Sequence, residues 1–191
     1  MSDTRWRFLL EKSLSHHRNI TEARYLQLAT VTQENRPANR SVVFRGFYGD
    51  KDCLKFVVDS RSEKVRQIAV HPWAEACWYF TQTREQFRFS GLLHLIQADN
   101  ADLALQQARQ ASWQELSNSA RLQFAWADPG KPRAEDDDFA PPLPSVLEPL
   151  ANFCLLLLEP MQVDYLNLMG NPQNRYIYSR NNGWSSEEVN P

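Results

Sequence analysis

Polar and apolar positions alternate along most of this chain, and the period changes several times. Trp6, Leu9, Leu10 and Leu14 recur at helical spacing, so a helix is predicted over Thr4 to Arg18, with Ser2, Asp3 or Thr4 as its cap. Tyr25 to Thr32 then alternates around Leu26, Leu28 and Thr30, and Asn39 to Phe47 is rich in Val and Phe. Cys53 to Val58 follows after the turn Tyr48-Gly49-Asp50-Lys51-Asp52. Short strands joined by tight turns predict an antiparallel meander. Ser60-Arg61-Ser62-Glu63 has the spacing of a capping box and predicts a helix to about Val70, stopped by His71-Pro72.

Strands are predicted again over Ala74 to Thr81 and Gln86 to Ala98, and a helix over Asp99 to Gln110. A second capping box at Ser112-Trp113-Gln114-Glu115 predicts another helix to about Phe124. Residues 129–149 then hold six of the 11 prolines and the acidic run Glu135 to Asp138, which reads as a loop or lid. Asn152 to Leu158 is apolar on both faces, as a central strand is. Gln162 to Met169, Arg175 to Arg180 and Trp184 to Val189 complete the pattern, with a hairpin turn at Asn182-Gly183. The sum is mainly β with flanking helices: about eight strands in a small antiparallel barrel. One domain over residues 1–191 is expected.

Charge narrows the function. Lys+Arg is 21 and Asp+Glu is 23, for a net charge of −2. A general nucleic-acid binder carries a basic excess that is missing here. The longest apolar run, Phe153 to Leu158, is far too short to span a bilayer. The expectation is a soluble, cytoplasmic protein. Cys53, Cys77 and Cys154 are odd in number and widely spaced, so neither a disulfide framework nor a zinc site is expected. No phosphate-binding glycine loop, metalloprotease helix or nucleophile elbow is present. His16-His17 falls at a helix end, and His94 within an apolar strand reads as a core or interface histidine.

Three segments suit an anion. Arg40-Ser41-Val42-Val43-Phe44-Arg45 brackets an apolar strand with two arginines, which share a ligand only if one sits at a strand end or a bulge. Arg61-Ser62-Glu63-Lys64 opens a predicted helix, where free N–H groups favour a phosphate. Arg84-Glu85-Gln86-Phe87-Arg88-Phe89 sets a polar strip against two phenylalanines.

In this order, with Phe56-Val57-Val58 before Ser62-Glu63-Lys64 and Arg175-Tyr176-Ile177-Tyr178 before Trp184, the segments resemble the pyridoxamine 5′-phosphate oxidase family of FMN-binding split barrels. The run from Trp113 to Gly130 is similar to the uncharacterised, cyanobacterial-type branch of that family rather than to the vitamin B6 enzyme proper. The resemblance implies an antiparallel split β-barrel and a homodimer with FMN at the subunit interface. It implies that Arg40 and Lys64 hold the FMN phosphate with Ser62, with Arg61 as a further candidate. Val42, Val43 and Val58 would line the isoalloxazine, and Arg45 would sit near its reactive edge. Gln86, Tyr165 and Arg175 would be further flavin contacts.

Two departures stand out. Glu63 replaces a phosphate-binding arginine, and the family's substrate motif R-L-H falls on Asn171, Pro172 and Gln173. The resemblance therefore implies an FMN oxidoreductase acting on another small molecule, with Arg121 as a candidate substrate anchor. Its rivals are a genuine pyridoxine/pyridoxamine 5′-phosphate oxidase, a non-catalytic flavin- or heme-binding module, and a structural barrel without cofactor. No catalytic residue and no metal ligand is assigned.

Overall fold

Leu26 and Leu28 point to one side of their strand and are fully buried, whereas Tyr25 on the other side is half exposed. That alternation recurs in β3, β4 and β5 and gives most of the sheet one dry face and one wet face, whereas the first half of β6 is buried on both. The computed structural model describes residues 5–191, so the cap expected among Ser2, Asp3 and Thr4 lies outside the described residues. The elements run α1 (Arg5–His16), β1 (Tyr25–Val31), β2 (Pro37–Val43), β3 (Leu54–Asp59), α2 (Glu63–Val70), β4 (Trp73–Phe80) and β5 (Glu85–Ile96). There follow α3 (Leu103–Gln114), α4 (Asn118–Leu122), β6 (Phe153–Asn167), β7 (Asn174–Ser179) and β8 (Ser186–Val189).

All eight strands belong to one antiparallel sheet in the order β2-β1-β4-β5-β6-β7-β8, with β3 added against β6. β6 is the shared strand. It pairs with β5 along its length, with β3 through its first half and with β7 through its second. The sheet curls so that β3 approaches β2, but the two meet only at one end. There Arg45 N donates to Lys55 O at 2.9 Å and Lys55 N donates to Gly46 O at 2.8 Å. Towards Pro37 the strands part, and the sheet stays open. The interior is filled by Trp78, Phe87, Phe89, Phe56 and Leu156, with Trp6 and Leu10 of α1 packed among them.

Four expectations are corrected. The two strands expected over 152–158 and 162–169 are one 15-residue strand. Pro160 lacks an N–H, yet β6 passes through it because the register shifts opposite, between Ser90 and Gly91. Gly91 has no side chain to obstruct this: a β-carbon there would lie 2.1 Å from Glu159 O. Next, Ser112 does not start a helix. Asp102 caps α3 by accepting from Ala104 N at 2.8 Å and Leu105 N at 3.2 Å, and α3 runs on through Ser112. Burial of Trp113 and Ser112 carries the helix on, while the cap of α4 is Ser117. Third, the box at Ser60 is not closed, because Ser62 occupies the cap position of α2 and its hydroxyl donates backwards to Asp59 O at 2.6 Å. Fourth, His94 is not a core histidine: it is exposed on β5 and bonded to Glu159 at 2.8 Å. Residues 129–149 contain only one turn of 3-10 helix, Asp136–Phe139. Among the described residues, no helix is long and apolar enough to cross a membrane.

Candidate functional site

The gap between β2 and β3 is a cleft walled on one side by Val42, Val43 and Arg45 and on the other by Val57 and Val58. Gln123 and Phe124, from the stretch after α4, close its outer side. Both facing strand edges lack a partner along the cleft, so their backbone groups are available to a ligand. Arg40 and Arg45 both line it. Arg40 pairs with inward-facing Leu28, whereas Arg45 lies past the end of β2. That is the strand-end arrangement their odd spacing required.

Arg40 is held by three acceptors. It donates to Leu28 O at 2.9 Å, Thr30 Oγ1 at 2.6 Å and Gln67 Oε1 at 2.9 Å. Lys64, in the first turn of α2, donates to Ser62 Oγ at 3.0 Å. Burial lowers the pKa of Arg40, partly offset by the charge of Glu63. Burial also lowers that of Lys64, and the positive charge of Arg40 lowers it further. Two half-buried cations repel each other here, and Lys64 has no carboxylate at ion-pair distance among the described residues. Such a pair gains most from a bound anion. Glu63 is exposed in the first turn of α2, so the acidic departure from the family pattern faces solvent.

Arg61 has other work. Its Nη2 donates to Asp59 Oδ2 at 2.6 Å and to Phe124 O at 3.1 Å, and its Nη1 donates to Trp126 O at 3.0 Å and to Asp128 at 2.9 Å. The guanidinium fastens the 124–128 stretch to the end of β3. Asp59 is held below the usual carboxylate range because the Arg61 and Asn152 hydrogen bonds outweigh the upward push of burial. Arg121, the candidate substrate anchor, is only 5% exposed and donates to Leu116 O and Asn118 Oδ1. Its two terminal nitrogens tie the link after α3 to α4, while its Nε is buried without a partner among the described residues.

The remaining candidates lie elsewhere. Gln86 of β5, Leu166 of β6 and Arg175 of β7 form one row across the sheet. The row is on the outer face, beside Tyr79, and none of its members lines the cleft. Tyr165 belongs to the opposite face. It is 4% exposed, packs on Phe87 with centroids 4.8 Å apart and donates its hydroxyl to Glu85 at 2.6 Å. Leu166 is the side chain that reaches the outer face at that row, so the role expected of Tyr165 is corrected on geometry: one residue of register exchanges the faces.

The sequence reading missed Asp164. It is almost buried on the outer face and accepts from Arg88 at 2.5 Å and from Arg175 at 2.8 and 3.1 Å. Burial would raise its pKa, but the bonds from Arg175 and Arg88 prevail and hold it below the normal range. A carboxylate between Val163 and Tyr165 in a central strand was the available signal. Gln67, which orients Arg40, left none.

Comparison with known proteins agrees with this geometry. The family description "Pyridoxamine 5′-phosphate oxidase, FMN-binding domain" matches residues 3–97. The chain is 38% identical over 192 residues to pyridoxine/pyridoxamine 5′-phosphate oxidase 2 of Arabidopsis thaliana, covering 97% of this chain and 96% of that one. Among solved structures, it is similar to a pyridoxamine 5′-phosphate oxidase-related, FMN-binding protein of Nostoc punctiforme, with 55% identity, full coverage of both chains and a TM-score of 0.96. PhzG of Burkholderia lata shares the fold at 19% identity and a TM-score of 0.80, over all of this chain and 94% of that one. The cofactor is FMN, and the cleft suits it, with unpaired strand edges and valines for a planar ring and two cations for a phosphate. This chain belongs to the pyridoxamine 5′-phosphate oxidase family and carries its FMN-binding fold.

Proposed function

We propose that the protein is an FMN-dependent oxidoreductase acting on a small molecule as a homodimer. The observation that carries the reading is the convergence of Arg40 and Lys64 at the β2–β3 cleft. In this reading, both cations and the Ser62 hydroxyl bind the FMN phosphate, while Val42, Val43 and Val58 flank the ring. Bound FMN supplies two-electron redox chemistry. The chain positions it and sets the charge around it, with Arg45 beside the reactive edge.

Gln86 and Arg175 complete the site from a second copy. They sit on the sheet's outer face, which also exposes Tyr25 by 48% and Tyr79 by 44%. A wet face that carries two half-exposed tyrosines suits a protein interface. In a two-fold dimer the same face serves both subunits, so each contributes the row that the other's cleft lacks.

The substrate is not the B6 phosphate ester in this reading, because Asn171, Pro172 and Gln173 form an exposed turn with no arginine or histidine. The second reading is pyridoxine/pyridoxamine 5′-phosphate oxidase itself, favoured by the name of the Arabidopsis relative. The test is a visible spectrum of the purified protein with mass spectrometry of the ligand released by heat, then a peroxide assay. The proposal expects FMN, reoxidation by air after dithionite, and no peroxide from pyridoxine or pyridoxamine 5′-phosphate. Peroxide from either substrate installs the second reading, and a colourless protein that takes up no FMN removes both.

A further inference from the structure

Arg175 does not reach straight along its own row. Its register partner on β6 is Leu166, while Asp164 stands opposite Ile177, one row over. The guanidinium nevertheless leans diagonally onto Asp164, with Nε donating to Oδ1 at 3.1 Å and Nη2 to Oδ2 at 2.8 Å. A guanidinium gripped along that edge is fixed in its plane. Its third nitrogen, Nη1, has no hydrogen-bond partner among the described residues and faces away from the carboxylate.

Asp164 is supplied with more cations than it can neutralise. Arg88 Nη2 also donates to Oδ2, at 2.5 Å, and the only other carboxylate near Arg88 among the described residues, Glu75, is half exposed and 3.8 Å away. Burying a carboxylate is costly, and a buried ion pair adds little stability beyond that of apolar residues of the same size. One arginine would satisfy Asp164 as a tie between strands. The second leaves positive charge and donors unspent on the outer face of the sheet. Gln86, in the row of Arg175, is likewise without a hydrogen-bond partner among the described residues.

Donors fixed in advance and left unspent suit acceptors on a ring edge that another subunit brings. We infer that Asp164 is a positioning residue for the flavin: it holds Arg175 so that Nη1 meets the FMN of the other subunit. The inference rests on the homodimer reading, in which Arg175 completes the partner subunit's site. Arg88 braces the same carboxylate from the opposite side. Reduction adds negative charge to the flavin ring, so a cation held against it raises the reduction potential.

The test uses the FMN-loaded dimer and reads FMN affinity by fluorescence and the flavin potential by dye-coupled reduction. Arg175→Ala is expected to weaken FMN about tenfold, the scale of one hydrogen bond from a charged group, and to lower the potential. Asp164→Asn is expected to change both in the same direction, although loss of a negative charge by itself would raise the potential. The double variant should bind FMN no more weakly than Arg175→Ala, because Asp164 acts through Arg175. Arg175→Lys keeps the charge without the fork and should weaken FMN by roughly fivefold or more. Its position is partly exposed, so it carries the test if Asp164→Asn does not fold. A raised potential in Asp164→Asn, additive losses in the double variant, or Arg175→Lys binding FMN as tightly as the unaltered protein would each overturn the inference. Arg175→Ala without effect on either readout would remove the contribution of the second copy as well, whereas a silent Asp164→Asn beside an impaired Arg175→Ala removes the inference alone.

Discussion

Arg40 on β2 donates to Gln67 on α2 at 2.9 Å, and that bond aims a strand residue at a helix start. Gln67 is itself buried and also accepts from Thr30 Oγ1 at 2.6 Å. Gln67→Ala removes an acceptor from a buried network without touching a phosphate-binding group. The expected result is FMN affinity weaker by about 1 kcal/mol, the scale of one hydrogen bond. Fluorescence titration of apo-protein with FMN measures it, and unchanged affinity would show that Arg40 needs no orientation from α2.

The phosphate assignment predicts that Arg40→Ala and Lys64→Ala each weaken FMN binding by roughly 1–3 kcal/mol, as for a charge-assisted hydrogen bond. Glu63→Ala should retain FMN, since that side chain faces solvent. The same titration reports all three, and FMN affinity intact in both cation variants would sink the assignment.

Gly91 predicts a stability effect with no functional site nearby. Its missing β-carbon would lie 2.1 Å from Glu159 O and 2.9 Å from Pro160 Cα, both backbone atoms. Neither can swing aside, so Gly91→Ala must force β5 and β6 apart. A loss of about 3 kcal/mol is expected, at the upper end of overpacking effects. Urea denaturation checks it, and a midpoint shift equivalent to less than about 1 kcal/mol would mean that the sheet gives way more easily than its packing implies.

Asp164 makes stability depend on acid. Its folded pKa lies below the unfolded value of about 3.9. The stabilisation is therefore complete above that value and is lost as pH falls through the folded pKa. Asp164→Asn should lower stability at pH 7 by about 1–2 kcal/mol, kept small because Arg88 and Arg175 are partly solvated. It should also flatten the acid limb of the stability curve below pH 4. Thermal unfolding from pH 3 to 7 reads both effects, and parallel curves for the two proteins would remove Asp164 as the source.

The elements were legible where a side chain's own neighbours decide its state. Alternation around Leu26 and Leu28, and the run from Phe153 to Leu158, placed strands correctly because burial on one face or both leaves its period in the chain. The capping boxes misled for the opposite reason. Ser112 fits a cap locally, but burying Trp113 and Ser112 favours continuing the helix, and Ser60 lost its place to a hydroxyl bond two residues on. The break expected between Leu158 and Gln162 does not occur, because the strand's tolerance of Pro160 depends on Gly91, which is distant in sequence and adjacent only across the ladder.

By itself the sequence determined most of the strand and helix positions, because burial leaves its period in the chain, and the order of its segments determined the family and FMN through resemblance to known members. Tertiary structure decided which arginines line the cleft. Arg61 and Arg121 look as well placed as Arg40 in the sequence, but only Arg40 and Arg45 border the cleft, while Arg61 and Arg121 are turned to carbonyls and side chains that the fold brings within reach elsewhere. It also decided that Leu166, not Tyr165, shares the face of Gln86 and Arg175. Side chains alternate with a period of two, so a one-residue difference in register reverses the face, and register is settled by pairing across strands rather than along the chain.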